Sequence, residues 1–177
     1  MSTLPFINKQ IMQNSWIVRD LDAAVEHWLK TTGIGPFYLV KGVTIEDQLY
    51  RGQPTHIEVS YALAQAGEIQ VELVCQHNDV PSAYRDTVPA DAEMAFHHMA
   101  IYTGDYDADL AAYQAAGAEV AFSGGFAGKR FCYVDTSRTI GCMIELIEHS
   151  EAQDSFFTLL RESARDWDGT DPIRNAF

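Results

Sequence analysis

Four polar side chains stand inside runs that otherwise read as apolar strand: Gln13 in IMQNSWIV, Glu72 in QVELV, His98 in FHHMAIYT and Glu145 in MIELI. Strand side chains alternate between two faces. Gln13, Ser15 and Ile17 therefore share a face opposite Asn14, Trp16 and Val18, while His98, Ala100 and Tyr102 oppose His97, Met99 and Ile101. Glu72 points away from Val71 and Leu73, and Glu145 away from Ile144 and Leu146. An acid flanked in this way ionises in a partly dry place, where an unpaired carboxylate is costly. A divalent cation would compensate both acids at once, and Gln, Glu, His, Glu is a mostly oxygen set suited to a hard or borderline ion. The same spacing also fits two edge acids facing water across a half-exposed antiparallel sheet, since no tight ligand motif is present.

The elements that must position these groups read as a pattern used twice. Residues 11–18 form a strand; Asp20 caps a helix carrying Leu21, Val25, Trp28 and Leu29, which Gly33 closes. GPFYLVKG, HIEVSYALA and EIQVELVCQ follow as strands punctuated by glycine. Residues 81–93 turn polar, with Pro81, Pro89 and several acids, as expected of a connector. A strand over 96–103 then restarts the pattern, with a helix capped by Asp105 or Asp107 and ended by Gly117, a short strand near Val120, and strands in KRFCYVDT and CMIELIE. Asp20, Asp22 and Ala23 recur as Asp105, Asp107 and Ala108. The expectation is an α+β fold of two βαβββ modules, about 10–76 and 95–149, joined by a connector over 77–94 within one domain spanning 1–177. In the tail, 150–177, Phe156, Leu159, Leu160, Ala164 and Trp167 mark the stripe of an amphipathic helix over 154–167, packed on the domain or on a partner subunit.

Composition narrows the function classes. With 177 residues, 47% hydrophobic and 21% charged, the chain can bury a core without staples. Twelve Lys+Arg against twenty-five Asp+Glu give a net charge of −13, which repels phosphate backbones and anionic membrane faces. Nucleic acid and membrane are not expected partners; a small-molecule substrate is. No apolar run approaches a spanning helix, and residues 1–10 lack the layout of a signal peptide, so a cytoplasmic location is expected. Cys75, Cys132 and Cys142 are odd in number and widely spaced, and read as core cysteines.

Taken in order, Q-x-x-x-I-V-R-D-L-D-A-A, V-E-L-V, H-H-M-A-I and GKRFCYVDTSRTIGCMIELIE resemble the vicinal oxygen chelate (glyoxalase/bleomycin resistance/dioxygenase) superfamily over about residues 10–149, in particular its glyoxalase and methylmalonyl-CoA epimerase branch. The resemblance implies two modules building a cup with a divalent ion (zinc, nickel, cobalt, manganese or magnesium) on Gln13, Glu72, His98 and Glu145. Gln13 replaces the histidine commonest at the first position, as in some glyoxalases, and breaks the two-His, one-Glu set of the iron oxygenases, which disfavours extradiol cleavage. The resemblance also places Glu58, which shares a strand face with His56 and Ser60, where the epimerases carry a catalytic glutamate. Glu58 and Glu145 are thus the candidate bases for proton abstraction next to a carbonyl, with turnover expected to fail in Glu58→Gln while metal is kept. The implied activity is that of an isomerase, epimerase or lyase acting on a small thioester or oxo compound through a metal-stabilised enolate, in a homodimer. The alternatives are a glyoxalase-like lyase on a glutathione hemithioacetal, and a metal-free drug-binding protein.

Other features carry less. GGFAGKR misses phosphate-loop spacing, although Lys129 or Arg130 could meet a substrate anion, and His27, His56, His77 and His149 read as isolated surface residues. His97 is expected behind the sheet if His98 points into the cup.

Overall fold

The first strand breaks at Asp20 because its carboxylate accepts the Ala23 amide at 3.0 Å and so starts a helix. In the computed structural model, which describes residues 9–89 and 91–176, β1 (Gln13–Val18) leads into α1 (Leu21–Thr32), then β2 (Phe37–Val40), β3 (Glu46–Tyr50), β4 (Gln53–Pro54), β5 (Val59–Ala66) and β6 (Ile69–Gln76). After α2 (Ala83–Thr87) come β7 (Met94–Thr103), α3 (Tyr106–Ala115), β8 (Glu119–Phe126), β9 (Lys129–Asp135), α4 (Ser137–Ile140), β10 (Met143–Glu148), α5 (Glu151–Ala164) and β11 (Ile173–Asn175). Asp105, rather than Asp107, caps α3 by accepting the Ala108 amide at 3.2 Å. Much of the signal-peptide reading falls on residues 1–8, which lie outside the described residues; among those described, no helix is long and apolar enough to cross a membrane.

All strands join one mixed sheet in the order β11-β2-β5-β6-β1-β7-β10-β9-β8-β3-β4. Its centre is symmetric: β1 and β7 pair antiparallel, and each pairs in parallel with the last strand of its own module, β6 or β10. The two βαβββ modules therefore meet edge to edge within one chain. Two pieces break the symmetry. β11 adds to β2, and β3, from the first half, crosses to pair with β8 of the second.

That crossing requires the sheet to curl. β2 and β3 stand eight strand spacings apart, about 38 Å on a flat sheet at about 4.8 Å each. Six backbone steps connect Val40 to Glu46, reaching about 22 Å at most. The sheet bends into a cup, and the 41–45 strap passes over its opening. Gly124 in β8 permits the close approach, since a Cβ there would lie 2.6 Å from Ile45 Cγ2.

One sheet face is covered by helices. Leu21, Ala24 and Val25 of α1 pack on Ala62, Ala64, Val71 and Leu73, and Tyr106 of α3 on Cys132, Val134, Ile144 and Leu146. Cys75, Cys132 and Cys142 are free and buried. The other face lines the cup, and α5 lies against it, burying Phe157 and Leu160 over Tyr38, Val40 and Leu63. The expected stripe is turned slightly: Leu159 is 42% exposed, and Trp167 lies past the end of α5, where its ring fills the space a Cβ on Gly35 would take.

Candidate metal centre

The four central strands β6, β1, β7 and β10 carry the four polar groups, and their registers bring these to one face. Ser15 of β1 pairs with Glu72 on one side and His98 on the other, while Ala100 of β7 pairs with both Gln13 and Glu145. Cross-strand partners share a face, so Gln13, Glu72, His98 and Glu145 all project into the cup, each less than a tenth exposed. One ligand atom from each of Glu72, His98 and Glu145 lies within 4.8 Å of the others. His98 Nε2 is 3.2 Å from Glu145 Oε2 and 3.4 Å from Glu72 Oε2, without a well-directed hydrogen bond to either. Gln13 donates its Nε2–H to Gln70 Oε1 at 3.1 Å, which fixes the amide and leaves its own Oε1 as the free end.

Burial and charge oppose each other here. Burial disfavours a charged His98, but Glu145 and then Glu72 outweigh it and push the imidazole up to about 9. Burial likewise raises the Glu145 carboxyl, against the pull of His98. Gln13 Oε1, Glu72 Oε2 and His98 Nε2 are buried acceptor-capable atoms without hydrogen-bond partners. A divalent ion fits this set: it would satisfy all three at once, and two carboxylates would balance its charge. The structure supports the ligand geometry for Glu72, His98 and Glu145 and puts Gln13 on the same cavity wall.

His97 is not behind the sheet. The β1–β7 register shifts between Ser15 and Trp16, so that Ser15 pairs with His98 and Trp16 with Phe96. The extra residue is His97, and this bulge breaks the alternation that strand parity assumes. His97 is fully buried between Tyr84 and Tyr133, with Nδ1 2.8 Å from His98 Nδ1 and Nε2 3.1 Å from the Ala83 carbonyl. A carbonyl only accepts, so His97 Nε2 carries a proton. Burial, then the charge on His98, pushes His97 down to about 3, leaving Nδ1 as an acceptor. His98 Nδ1–H must then donate to it, which turns His98 Nε2 toward the two carboxylates in the orientation a metal ligand needs.

Glu58 is not brought to the cup. Ser60, Ala62 and Ala64 of β5 pair with Cys75, Leu73 and Val71, the helix-covered face. Glu58 continues that parity, is exposed, and binds through its backbone to Asn78 and His77. Its grouping with Ser60 follows the pleat, but the side is the wrong one. Arg130 is also taken up elsewhere, holding Asp107 at 2.8 Å and Glu148 at 3.1 Å beside the Tyr106 ring. Lys129 pairs with Phe126 near the β8–β9 turn and does not line the cavity.

Around the polar floor the walls are mostly apolar: Val40, Val43 and Ile45 from the strap side, Leu63, Phe126, Phe131 and Ile147 from the sheet, and Phe156 and Phe157 from α5, which also contributes the polar Gln153. Tyr61 and Tyr133 complete the lining; burial holds both phenols well above their ordinary range, so they stay neutral. Tyr84 and Tyr133 share a hydrogen bond at 2.9 Å. Sequence reading overlooked these tyrosines and Gln70, although Gln70 has the parity of Glu72 and Tyr133 that of Phe131.

A sequence model described as the Glyoxalase/Bleomycin resistance protein/Dioxygenase superfamily matches residues 12–133, a stretch that contains Gln13, Glu72 and His98 and ends before Glu145. Among solved structures, the methylmalonyl-CoA epimerase from Mycobacterium tuberculosis is 17% identical with a TM-score of 0.55, over 85% of this chain and 96% of its own. A methylmalonyl-CoA epimerase solved with methylmalonyl-CoA and NH4+ is 20% identical with a TM-score of 0.52, over 81% and 96%. A hypothetical protein from Bacillus halodurans C-125 is 15% identical with a TM-score of 0.52, over 82% and 97%. These likenesses show the fold. No curated protein matches the chain.

Proposed function

The chain belongs to the Glyoxalase/Bleomycin resistance protein/Dioxygenase superfamily, and from that premise we propose that it is a metal-dependent isomerase or epimerase that moves a proton next to the carbonyl of a small oxo compound or thioester. The observation that carries this reading is the buried Glu72–His98–Glu145 cluster, with ligand atoms within 4.8 Å of one another at the floor of an apolar cavity. A divalent ion held there by Glu72, His98 and Glu145, with Gln13 Oε1 beside them, would supply Lewis acidity to the substrate oxygen, where charge develops as the neighbouring proton leaves. Of the two candidate bases, the geometry favours Glu145. It lines the cavity, and burial raises its proton affinity, which suits a carboxylate that must take a proton from carbon and return it. Tyr133, its cross-strand partner, stays a neutral phenol beside it, and the apolar walls exclude water from the reacting end.

Two measurements test the reading. Calorimetry with Co2+ or Zn2+ on metal-stripped protein is expected to give about one ion per chain. In D2O, the loaded wild type and Glu58→Gln should incorporate deuterium next to the carbonyl of an accepted substrate, tried first as methylmalonyl-CoA and 2-hydroxyacetophenone, while Glu145→Gln should lose at least 100-fold in rate. Retention of exchange in Glu145→Gln removes it as the base. Absence of metal binding removes the enzyme reading and leaves a small-molecule binding protein.

A further inference from the structure

The cavity above the ligand cluster opens to solvent and has about 140 Å³ of room. Its size is close to that of an apolar protein cavity of about 150 Å³ known to hold benzene. Among the described residues, no lysine or arginine lines it. Arg51 is engaged with Asp86 at 2.7 Å and Asp135 at 3.0 Å, and Arg130 with Asp107 and Glu148. The floor would offer an anion no net positive charge either, since Glu72 and Glu145 would balance a divalent ion and Gln13 is neutral. A net charge of −13 adds a general repulsion of anionic ligands. Over the cavity lie the strap, with Val43 and Ile45, and α5, with Phe156 and Phe157, so a long polar arm leaving the floor must pass mostly aromatic and aliphatic side chains, with the Gln153 amide as a neutral polar group among them.

We infer that the cup takes an uncharged carbonyl compound with one ring-sized apolar body, such as an aryl or branched-alkyl α-hydroxy ketone, and that it does not take a coenzyme A thioester. The inference rests on the metal-dependent reading for the oxygen-bearing end and on the cavity alone for the apolar end. The polar end meets the ligand cluster. The ring lies between Phe126, Phe131, Phe156 and the strap, among side chains that offer no cationic partner for a phosphate.

The two ends are tested separately. Metal-free protein is titrated into fluorobenzene and followed by ¹⁹F NMR; the line is expected to broaden and shift with wild type and to remain that of free fluorobenzene with Val43→Phe, which fills the cavity from a half-buried strap position. On Co2+-loaded protein, 2-hydroxyacetophenone should bind at least tenfold tighter than hydroxyacetone, and Lys129→Ala should leave its affinity unchanged. The Lys129→Ala variant also checks a cation beside the β8–β9 turn, close to the cavity but not in its lining. Tighter binding of propionyl-CoA than of 2-hydroxyacetophenone overturns the inference, as does equal binding of the two ketones. Co2+ binding without fluorobenzene contact overturns it while leaving the metal-dependent reading intact, whereas fluorobenzene contact without Co2+ binding removes that reading and keeps the ring-sized pocket.

Discussion

At the scale of single residues, the candidate centre depends on a histidine that is not itself one of the ligand positions but holds one. His97 fixes which nitrogen of His98 faces Glu72 and Glu145. Replacing it with phenylalanine keeps the packing against Tyr84 and Tyr133 but leaves His98 Nδ1–H and the Ala83 carbonyl unpaired. Co2+ affinity of His97→Phe is expected to fall about 10–100-fold, as for other supporting partners of metal ligands. His97→Gln, whose amide can accept from His98 and donate to Ala83, should recover most of it; calorimetry reads both. A second prediction concerns protons. With its folded value pushed up to about 9, against an ordinary value of about 6.5, His98 stabilises the metal-free fold fully below about 6.5 and loses that contribution as pH rises through 9. In EDTA, the urea midpoint of wild type relative to His98→Gln should therefore drop between pH 6 and pH 9.5. The shared cup face of Gln13, Glu72 and Glu145 was legible because alternation is unbroken in β1, β6 and β10, and that of His98 because it lies on the regular side of the β7 bulge. His97 was misplaced because a single inserted residue resets the count. Glu58 was misplaced because alternation groups residues on a face but does not say which face the helices cover.

At the scale of elements, local signals fared well where a cap or a period exists. Asp20, Gly33 and Asp105 act as read, and the helix and strand order of both halves follows the pattern. The strap and β3 left no such trace: TIEDQLY is mostly polar, and its partner β8 lies far along the chain, so only tertiary pairing makes it a strand. α5 was legible as a helix but not as a roof, because its stripe does not say what it covers. Phe157 decides this. It is 6% exposed and belongs both to the α5 packing cluster and to the cavity wall. Phe157→Ala is expected to cost about 3–5 kcal/mol, measured by urea denaturation, and to weaken 2-hydroxyacetophenone more than Co2+. An equal loss for both ligands would mean the helix supports the floor rather than closing the top.

At the scale of the whole molecule, the duplicated pattern explains why the candidate metal centre sits at the seam. Each half supplies its first and last strands, and β1 against β7 brings them together, so neither half alone owns the Gln13, Glu72, His98 and Glu145 cluster. The crossing of β3 to the far edge makes the arrangement harder to undo. A protease that cuts once in the polar stretch after β6 severs the only covalent tie between the halves there, yet the leading fragment still has its β3–β4 hairpin hooked onto β8 and its β1 zipped to β7. Such a nicked protein should travel as a single species on sizing under native conditions and separate into two bands only in denaturant. Two polypeptides expressed from a gene split at that point would have to thread this clasp in order to find each other, so the continuous chain is what makes the interlocked topology easy to reach.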